Sequence, residues 1–443
     1  MIQTWKQKEI LQQPNWPADD LDPILDQIQS YPNLVSIKEI KSLKKHLSNV
    51  SQGEGFIIQG GDCAETFIDF NATMIENKLK VLLQMSAIIQ YITQTNIIRI
   101  GRIAGQFFKP RTNEFEIRNN LKLPSYRGDG INSIEFSKEA REHNPKRLLQ
   151  SYHQSAATMN LIRNLTMTGY AHINNIKSWN FSPLENTEYV KRYNMIAKQI
   201  QDILTFTHHG NNSLFPNLVY NTVFTSHEAL VLDYESTFIA EENNKSYDCS
   251  GHMLWVGDRT RFVDSAHIEF VSQIENPIGI KVGPNINISD ITLLCKKINP
   301  TNQHGKISFI IRLGINYIEN LLPKLINEVE KQSLNVLWLC DPMHGNTILT
   351  DKGIKTRNFD TIKQEIELFF KIHNQHGTIP GGLHFELTGD SVTECIGGIK
   401  NIQHQDLDEY YQTACDPRLN NEQSLEKAFL TAELLQKRRH NSE

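Results

Sequence analysis

No stretch of the 443 residues approaches the ~18 apolar residues that a membrane span needs. The start, MIQTWKQKEILQQ, carries no apolar run after its charges, so no secretory signal is expected and the cytoplasm is the expected compartment. The six cysteines (Cys63, Cys249, Cys295, Cys340, Cys395 and Cys415) form no CxxC pair, and their scatter reads as reduced thiols. There is no GxxxxGK(S/T) and no GxSxG. His227-Glu228 begins an HExxH, but Val231 stands at the second histidine position, which excludes a zincin helix. Gly101 and Gly105 give a GxxxG without value as a dinucleotide fingerprint. Positive charge is not in excess. A formal net charge of −5 argues against a general nucleic-acid partner and requires any anion affinity to come from locally grouped cations.

Hydrophobic residues make up 39% of the chain, enough for a sizeable core. Short apolar or β-branched runs recur at 56–60, 97–102, 219–224, 252–257, 278–282, 307–312, 335–340 and 381–387. Between them lie stretches with helical apolar spacing, at 74–93, 226–240 and 316–330, and Asp360 is placed to cap a helix over 361–373. Eight strands alternating with helices predict an α/β fold closed into a (β/α)8 TIM barrel over residues 51–443. Residues 1–50 read as a helical N-terminal extension, packed on the barrel or at a subunit contact. The long connection after strand two holds extra helices near 145–168 and 187–206. A polar loop at 108–135 is of a length that is usually functional.

In such a barrel the active face lies at the carboxyl ends of the strands. Strand one runs into Gly61-Asp62-Cys63-Ala64-Glu65, strand two ends at Arg102, and Lys109 and Arg111 follow in its loop. Strand three leads to Ser226-His227-Glu228, and strand four to Asp258 and Arg259. Strands five and six end near Lys281 and Arg312, strand seven at Asp341-Pro342-Met343-His344, and strand eight carries His384 and Glu386. Arg102, Lys109, Arg111, Arg259, Lys281 and Arg312 at one mouth would repel each other unless anionic ligands or carboxylates compensate. Anion binding and a purely structural network both fit. Cys63, His344, Glu386 and Asp416 offer a thiolate, an imidazole and two carboxylates, a plausible ligand set for a divalent transition metal. From spacing alone, a buried cysteine, a satisfied histidine and ordinary ion pairs explain the four equally well.

The strings QGGDCAETF (59–67), GRIAGQFFKPR (101–111), LPSYRGDGIN (123–132), SHEALVLDYE (226–235), WVGDRTR (255–261), NPIGIKVGP (276–284), CDPMHGNT (340–347), GGLHFELTGDSVTECIGG (381–398) and ACDPRLN (414–420) resemble class II (plant-type) 3-deoxy-D-arabino-heptulosonate 7-phosphate (DAHP) synthases. They stand in that family's order, from about residue 50 to 430. The resemblance implies condensation of phosphoenolpyruvate with erythrose 4-phosphate on a divalent metal, manganese or alternatively cobalt. Cys63, His344, Glu386 and Asp416 would hold the metal. Arg102, Lys109, Asp258, Arg259, Lys281 and Arg312 would meet phosphoenolpyruvate, and Lys109-Pro110-Arg111 the phosphate of the sugar. Lys281, Arg312 and His344 are the expected catalytic residues. His344 is the leading candidate for proton transfer, with Glu228 or a water at the metal as alternatives. Three positions depart from the family's usual residues: Thr112 where Ser is usual, Asp258 where many members have Glu, and Leu313 where RMG is common.

The resemblance also implies a homo-oligomer inhibited by aromatic amino acids through helices outside the barrel, at 1–50 or 170–210. An amino-sugar analogue synthase of a secondary pathway would share these motifs. A non-catalytic sugar-phosphate sensor would be expected to lack a metal ligand, and none is missing. Because Cys415 precedes Asp416, a ligand by the resemblance, a Cys63–Cys415 disulfide in the oxidised, metal-free protein is a further expectation.

Overall fold

A computed structural model of the chain describes residues 4–16, 18–171, 175, 176, 179, 187–207 and 222–440. Eight parallel strands close into a barrel: β1 (Phe56–Gly61), β2 (Ile97–Arg102), β3 (Val223–Glu228), β4 (Met253–Val256), β5 (Ile278–Val282), β6 (Ile307–Ile311), β7 (Leu337–Cys340) and β8 (Gly382–Glu386). β1 pairs with both β2 and β8, which sets Gly61 level with Arg102 on one side and Glu386 on the other. Gly61 has φ +150°, and a Cβ there would lie 2.5 Å from the Arg102 carbonyl oxygen, so only glycine lets the strands close here. The strands are buried throughout. That is why they read as continuous apolar runs, as parallel strands covered on both faces do.

The extension contributes α1 (Ala18–Gln29) and α2 (Ile37–Ser51). Ser36 and Glu39 form a capping box that fixes the start of α2. Leu43, Leu47 and Val50 share one face of α2 and enter a cluster with Ile57, Ile98, Phe224, Met253, Ile310 and Leu339 from inside the barrel. The helix thus stoppers the amino-terminal end of the barrel, and each fully buried leucine there is worth roughly 1.5–3 kcal/mol. Upstream, Trp5 packs edge-on against Phe270, and Gln12 accepts a hydrogen bond from the Arg111 amide at 2.8 Å.

The connections after β1 and β2 carry α3 (Ala72–Thr93), α4 (Lys146–Met167) and α5 (Glu188–Thr207), with a single helical turn at Lys138–Arg141 ahead of α4. The ring continues with α6 (Ala266–Ser272), α7 (Ile288–Ile298), α8 (Ile318–Lys331), α9 (Phe359–His376) and α10 (Asn421–His440). Three expectations need correction. The third strand is Val223–Glu228 rather than 219–224, of which 219–221 lie outside the described residues. The helix expected over 226–240 is only the short Leu232–Ser236, followed by a hairpin of Ile239–Glu242 and Lys245–Asp248. Asn358, not Asp360, caps α9, accepting from the amides of Asp360 and Thr361 at 2.8 and 3.3 Å.

Candidate active site

At the carboxyl end of the strands, a cavity of about 360 Å³ is lined by Cys63, Arg102, Lys109, Arg111, Asp258, Arg259, Lys281, Arg312, His344 and Asp416, together with Glu228, Trp255 and residues of the neighbouring loops. Every site residue expected from the sequence is therefore at this mouth except Glu386, which lies fully buried behind it. Seven cations and four carboxylates line the cavity, an excess of positive charge suited to an anionic substrate.

The cations are held by local partners. Arg102 reaches Glu386 at 3.1 Å, donates to the Asp62 carbonyl at 3.0 Å and lies 5.2 Å from the Trp255 ring centroid. Arg312 and Arg261 grip opposite oxygens of Asp258 at 2.8 and 2.9 Å, so the shorter carboxylate at this position is fully engaged. Arg111 pairs with Glu116 at 3.2 Å, and Arg259 donates to the Thr112 hydroxyl at 2.7 Å, using the oxygen that the substituted residue keeps. Lys281 lies 3.6 Å from Asp341. Its burial pushes its pKa down to about 8, with Arg102 adding to the fall and Asp341 opposing it.

The atoms offered by Cys63, His344, Glu386 and Asp416 all lie within 4.8 Å of one another. His344 Nε2 is 2.9 Å from Glu386, and Cys63 Sγ is 3.3 Å from Asp416. Lys109 Nζ touches Cys63 Sγ and lies 2.6 Å from Asp416. Burial opposes charge on Glu386 and Asp416, yet both are held well below the usual carboxylate range, Glu386 by His344 and Arg357 and Asp416 by Lys109. Asp341 takes His344 Nδ1 at 2.7 Å and so turns Nε2 into the group. A carboxylate behind a ligand histidine is the usual way its tautomer is fixed. One sulfur, one nitrogen and two carboxylates, already convergent and with the histidine oriented from behind, fit a divalent transition metal.

The model of the class-II DAHP synthetase family matches residues 1–432. The chain belongs to that family. Among curated relatives, it is 44% identical over 436 residues to the phospho-2-dehydro-3-deoxyheptonate aldolase of Streptomyces coelicolor, covering 97% of this chain and 96% of that one. It is 42% identical over 435 residues to the phospho-2-dehydro-3-deoxyheptonate aldolase AroG of Mycolicibacterium smegmatis, covering 97% and 93%.

For this class-II DAHP synthetase, the structure adds residues that the sequence reading passed over. Lys355 lines the cavity and meets Asp416 at 2.8 Å, and Glu116 balances Arg111. Both stand on two-stranded hairpins in long loops, where no strand end marks them. Glu228 also gains weight. It is 6% exposed, burial raises its pKa, and its Oε1 finds no hydrogen-bond partner among the described residues. Gly257 makes room for it, since a Cβ there would lie 2.0 Å from that oxygen. His344, by contrast, has both ring nitrogens engaged, one by Asp341 and one by the ligand group. That arrangement suits a ligand histidine oriented from behind. Cys415 packs with Cys63 and Tyr126.

Proposed function

We infer that the chain joins phosphoenolpyruvate to erythrose 4-phosphate with release of phosphate, the 3-deoxy-7-phosphoheptulonate synthase reaction that opens the shikimate route to chorismate and the aromatic amino acids. Family membership and the names of the relatives support this reading. The observation that carries it is a cation-rich cavity lined by three of the four convergent ligand residues, with the fourth directly behind them.

In our assignment, Arg102, Lys281, Arg312 and Arg259 hold the carboxylate and phosphate of phosphoenolpyruvate by charge-assisted hydrogen bonds, with Lys109 beside them and Asp258 orienting Arg312. Lys109, Pro110 and Arg111 face the phosphate of the sugar. Fixing both anions aligns the methylene carbon of the enol with the aldehyde carbon, and that alignment is the main catalytic work of the cations. When bound at Cys63, His344, Glu386 and Asp416, a divalent metal supplies Lewis acidity toward the aldehyde carbonyl. We assign it as manganese, with cobalt as an active substitute. The new bond forms between the enol methylene and the aldehyde carbon. Water then adds at the adjacent cationic carbon, and phosphate leaves with cleavage of its C–O bond. In our reading Glu228 takes the proton released by the attacking water, and the former aldehyde oxygen gains one, because a buried carboxyl with a raised pKa and an unpaired oxygen is suited to acid–base work; His344 is the alternative.

The same reading includes a cytoplasmic homo-oligomer, inhibition by aromatic amino acids, and a catalytic unit over 51–443 braced by residues 1–50. Of 170–210, one region expected to carry inhibition, residues 172–174, 177, 178, 180–186 and 208–210 lie outside the described residues. It also includes a redox response: an added oxidant takes two electrons from the Cys63 and Cys415 thiols of metal-free protein, two protons are released, and a disulfide forms. Mass spectrometry of non-reduced peptides detects that crosslink or refutes it. The activity itself is tested by following phosphoenolpyruvate consumption with purified protein. Turnover should need erythrose 4-phosphate, stop on chelation and return with Mn²⁺ or Co²⁺. Full turnover in exhaustively chelated protein with no metal by elemental analysis would refute the metal assignment, and no turnover in metal-loaded protein would refute the activity.

A further inference from the structure

Of the four ligand residues, Glu386 ends a barrel strand, whereas Cys63 and Asp416 stand on loops. A loop places a ligand well only if something braces it. Behind these two loops runs a chain of buried charges: Glu394, Arg418, Asp62 and Lys78 are 0%, 4%, 3% and 6% exposed. Arg418 donates from Nη1 to Asp62 at 2.8 Å, and from Nε and Nη2 to Glu394 at 3.1 and 2.8 Å. Glu394 also accepts the amides of Gln412, Thr413 and Arg418 at 3.2, 2.8 and 2.7 Å, so the loop carrying Asp416 folds around its carboxylate. The second oxygen of Asp62 is taken by Lys78 of α3. One guanidinium therefore ties the residue before Cys63 to the loop two residues after Asp416.

The signs alternate along this chain, so the charges compensate each other. Burying such an array adds little stability compared with well-packed apolar side chains, and what it can deliver is geometry. Neither Arg418 nor Asp62 lines the cavity, so neither acts by touching substrate.

We propose that Arg418, acting through Asp62 and Glu394, is a positioning residue that sets the spacing of Cys63 and Asp416 and so tunes affinity for the divalent metal. The proposal rests on the metal assignment above. Lysine at position 418 keeps the buried charge but loses the planar fork that reaches two carboxylates at once.

Metal-free protein is titrated with Co²⁺ against a chromophoric chelator, while the absorption of the cysteine thiolate–cobalt pair is recorded. Arg418→Lys should weaken Co²⁺ binding by about tenfold to a hundredfold, the usual effect of losing a group that orients ligands, and should shift that band. The KM for phosphoenolpyruvate at saturating Co²⁺ should stay within about twofold, since Arg418 donates to Asp62 and Glu394 and to none of the residues assigned to the anion. Asp62→Asn, nearly isosteric, gives a second reading of the same bridge should Arg418→Lys fail to fold. Co²⁺ affinity within about twofold of wild type together with an unchanged band, in either folded variant, overturns the proposal. If wild-type protein shows no thiolate–cobalt band, the metal assignment falls and this proposal with it; a wild-type band matched by the variants brings down the proposal alone.

Discussion

The two ends of the barrel are built from the same eight strands and have opposite interiors. At the amino-terminal end, inward side chains such as Ile57, Ile98, Phe224, Met253 and Leu339 close over Leu43, Leu47 and Val50 of α2. At the carboxyl end, Arg102, Glu228, Lys281 and Arg312 converge instead on a cavity. Between them lies a polar layer in which Gln59 donates to Ser226 at 2.9 Å and meets His384 Nδ1 at 2.8 Å. The contrast teaches that stability and chemistry are separated along each strand by a few residues. The apolar end can hold the barrel shut while the other end gathers like charges that no self-sufficient core would accept.

This contrast breaks most visibly at the metal group. Cys63→Ala should lower turnover by roughly a thousandfold, because Lewis-acid stabilisation is worth several kcal/mol. The melting temperature of metal-free protein should barely move. Steady-state rates and thermal melts of the same preparations read both quantities. Wild-type turnover in the variant would remove Cys63 from the ligand set.

The next effect is on the anion contacts. Lys281→Ala or Arg312→Ala should lower kcat/KM for phosphoenolpyruvate by at least ~100-fold, since a charge-assisted contact is worth roughly 1.5–3 kcal/mol and its loss leaves the anion misaligned. An effect below about threefold would take that residue out of the site. Glu228→Gln should lower kcat by ~100-fold or more with little change in KM, the size expected for losing an acid–base group. A loss confined to KM would make Glu228 a binding residue instead.

At the other end the signs should reverse. Leu47→Ala should destabilise the protein by about 2–5 kcal/mol through lost burial and a residual cavity, with kcat nearly unchanged. A fall in kcat without a fall in unfolding midpoint would show that the two ends are coupled.

Much of this division was legible in the sequence, for a physical reason. A buried parallel strand is an apolar run, and the charged residue that ends it marks the mouth, as Arg102 and Arg312 do. The third strand was misplaced because its inward residues, Ser226 and Glu228, are polar, and the apolar signal sits upstream of the pairing. The helix expected over 226–240 failed at a turn that the sequence did carry: Asn243 and Asn244 take φ values of 53° and 59°, as a tight hairpin requires. Asn119 and Asn120 mark the hairpin that brings in Glu116 by the same means. The four ligand residues could be preferred over a buried cysteine and ordinary ion pairs only through the family resemblance, since no local spacing links Cys63 to Asp416. That His344 has both nitrogens engaged is a fact of three dimensions that no motif encodes.

The smallest effect belongs to a charge at the apolar end. Lys306 directly precedes β6, is 5% exposed, and donates to the carbonyl oxygens of Ile274 and Asn276. Burial pushes its pKa down to about 7; Lys44 and Lys245 add to the fall and Glu275 opposes it. Above that value the folded chain carries a neutral amine here, while the unfolded chain keeps its proton until the ordinary lysine range near 10.4. Across that window the unfolded state binds more protons, so this group makes stability rise with pH, by an amount that approaches about 1.4 kcal/mol per unit. Below pH 7 both states are protonated and the full penalty of the buried charge applies. Lys306→Met removes the titration, although it leaves two carbonyls short of a donor and so lowers stability at every pH. The informative quantity is therefore the slope. Between pH 7 and 9 the melting temperature of the variant should rise less, or fall more, than that of the wild type. Parallel curves would show that Lys306 keeps its proton in the folded protein and that the apolar end tolerates a full charge.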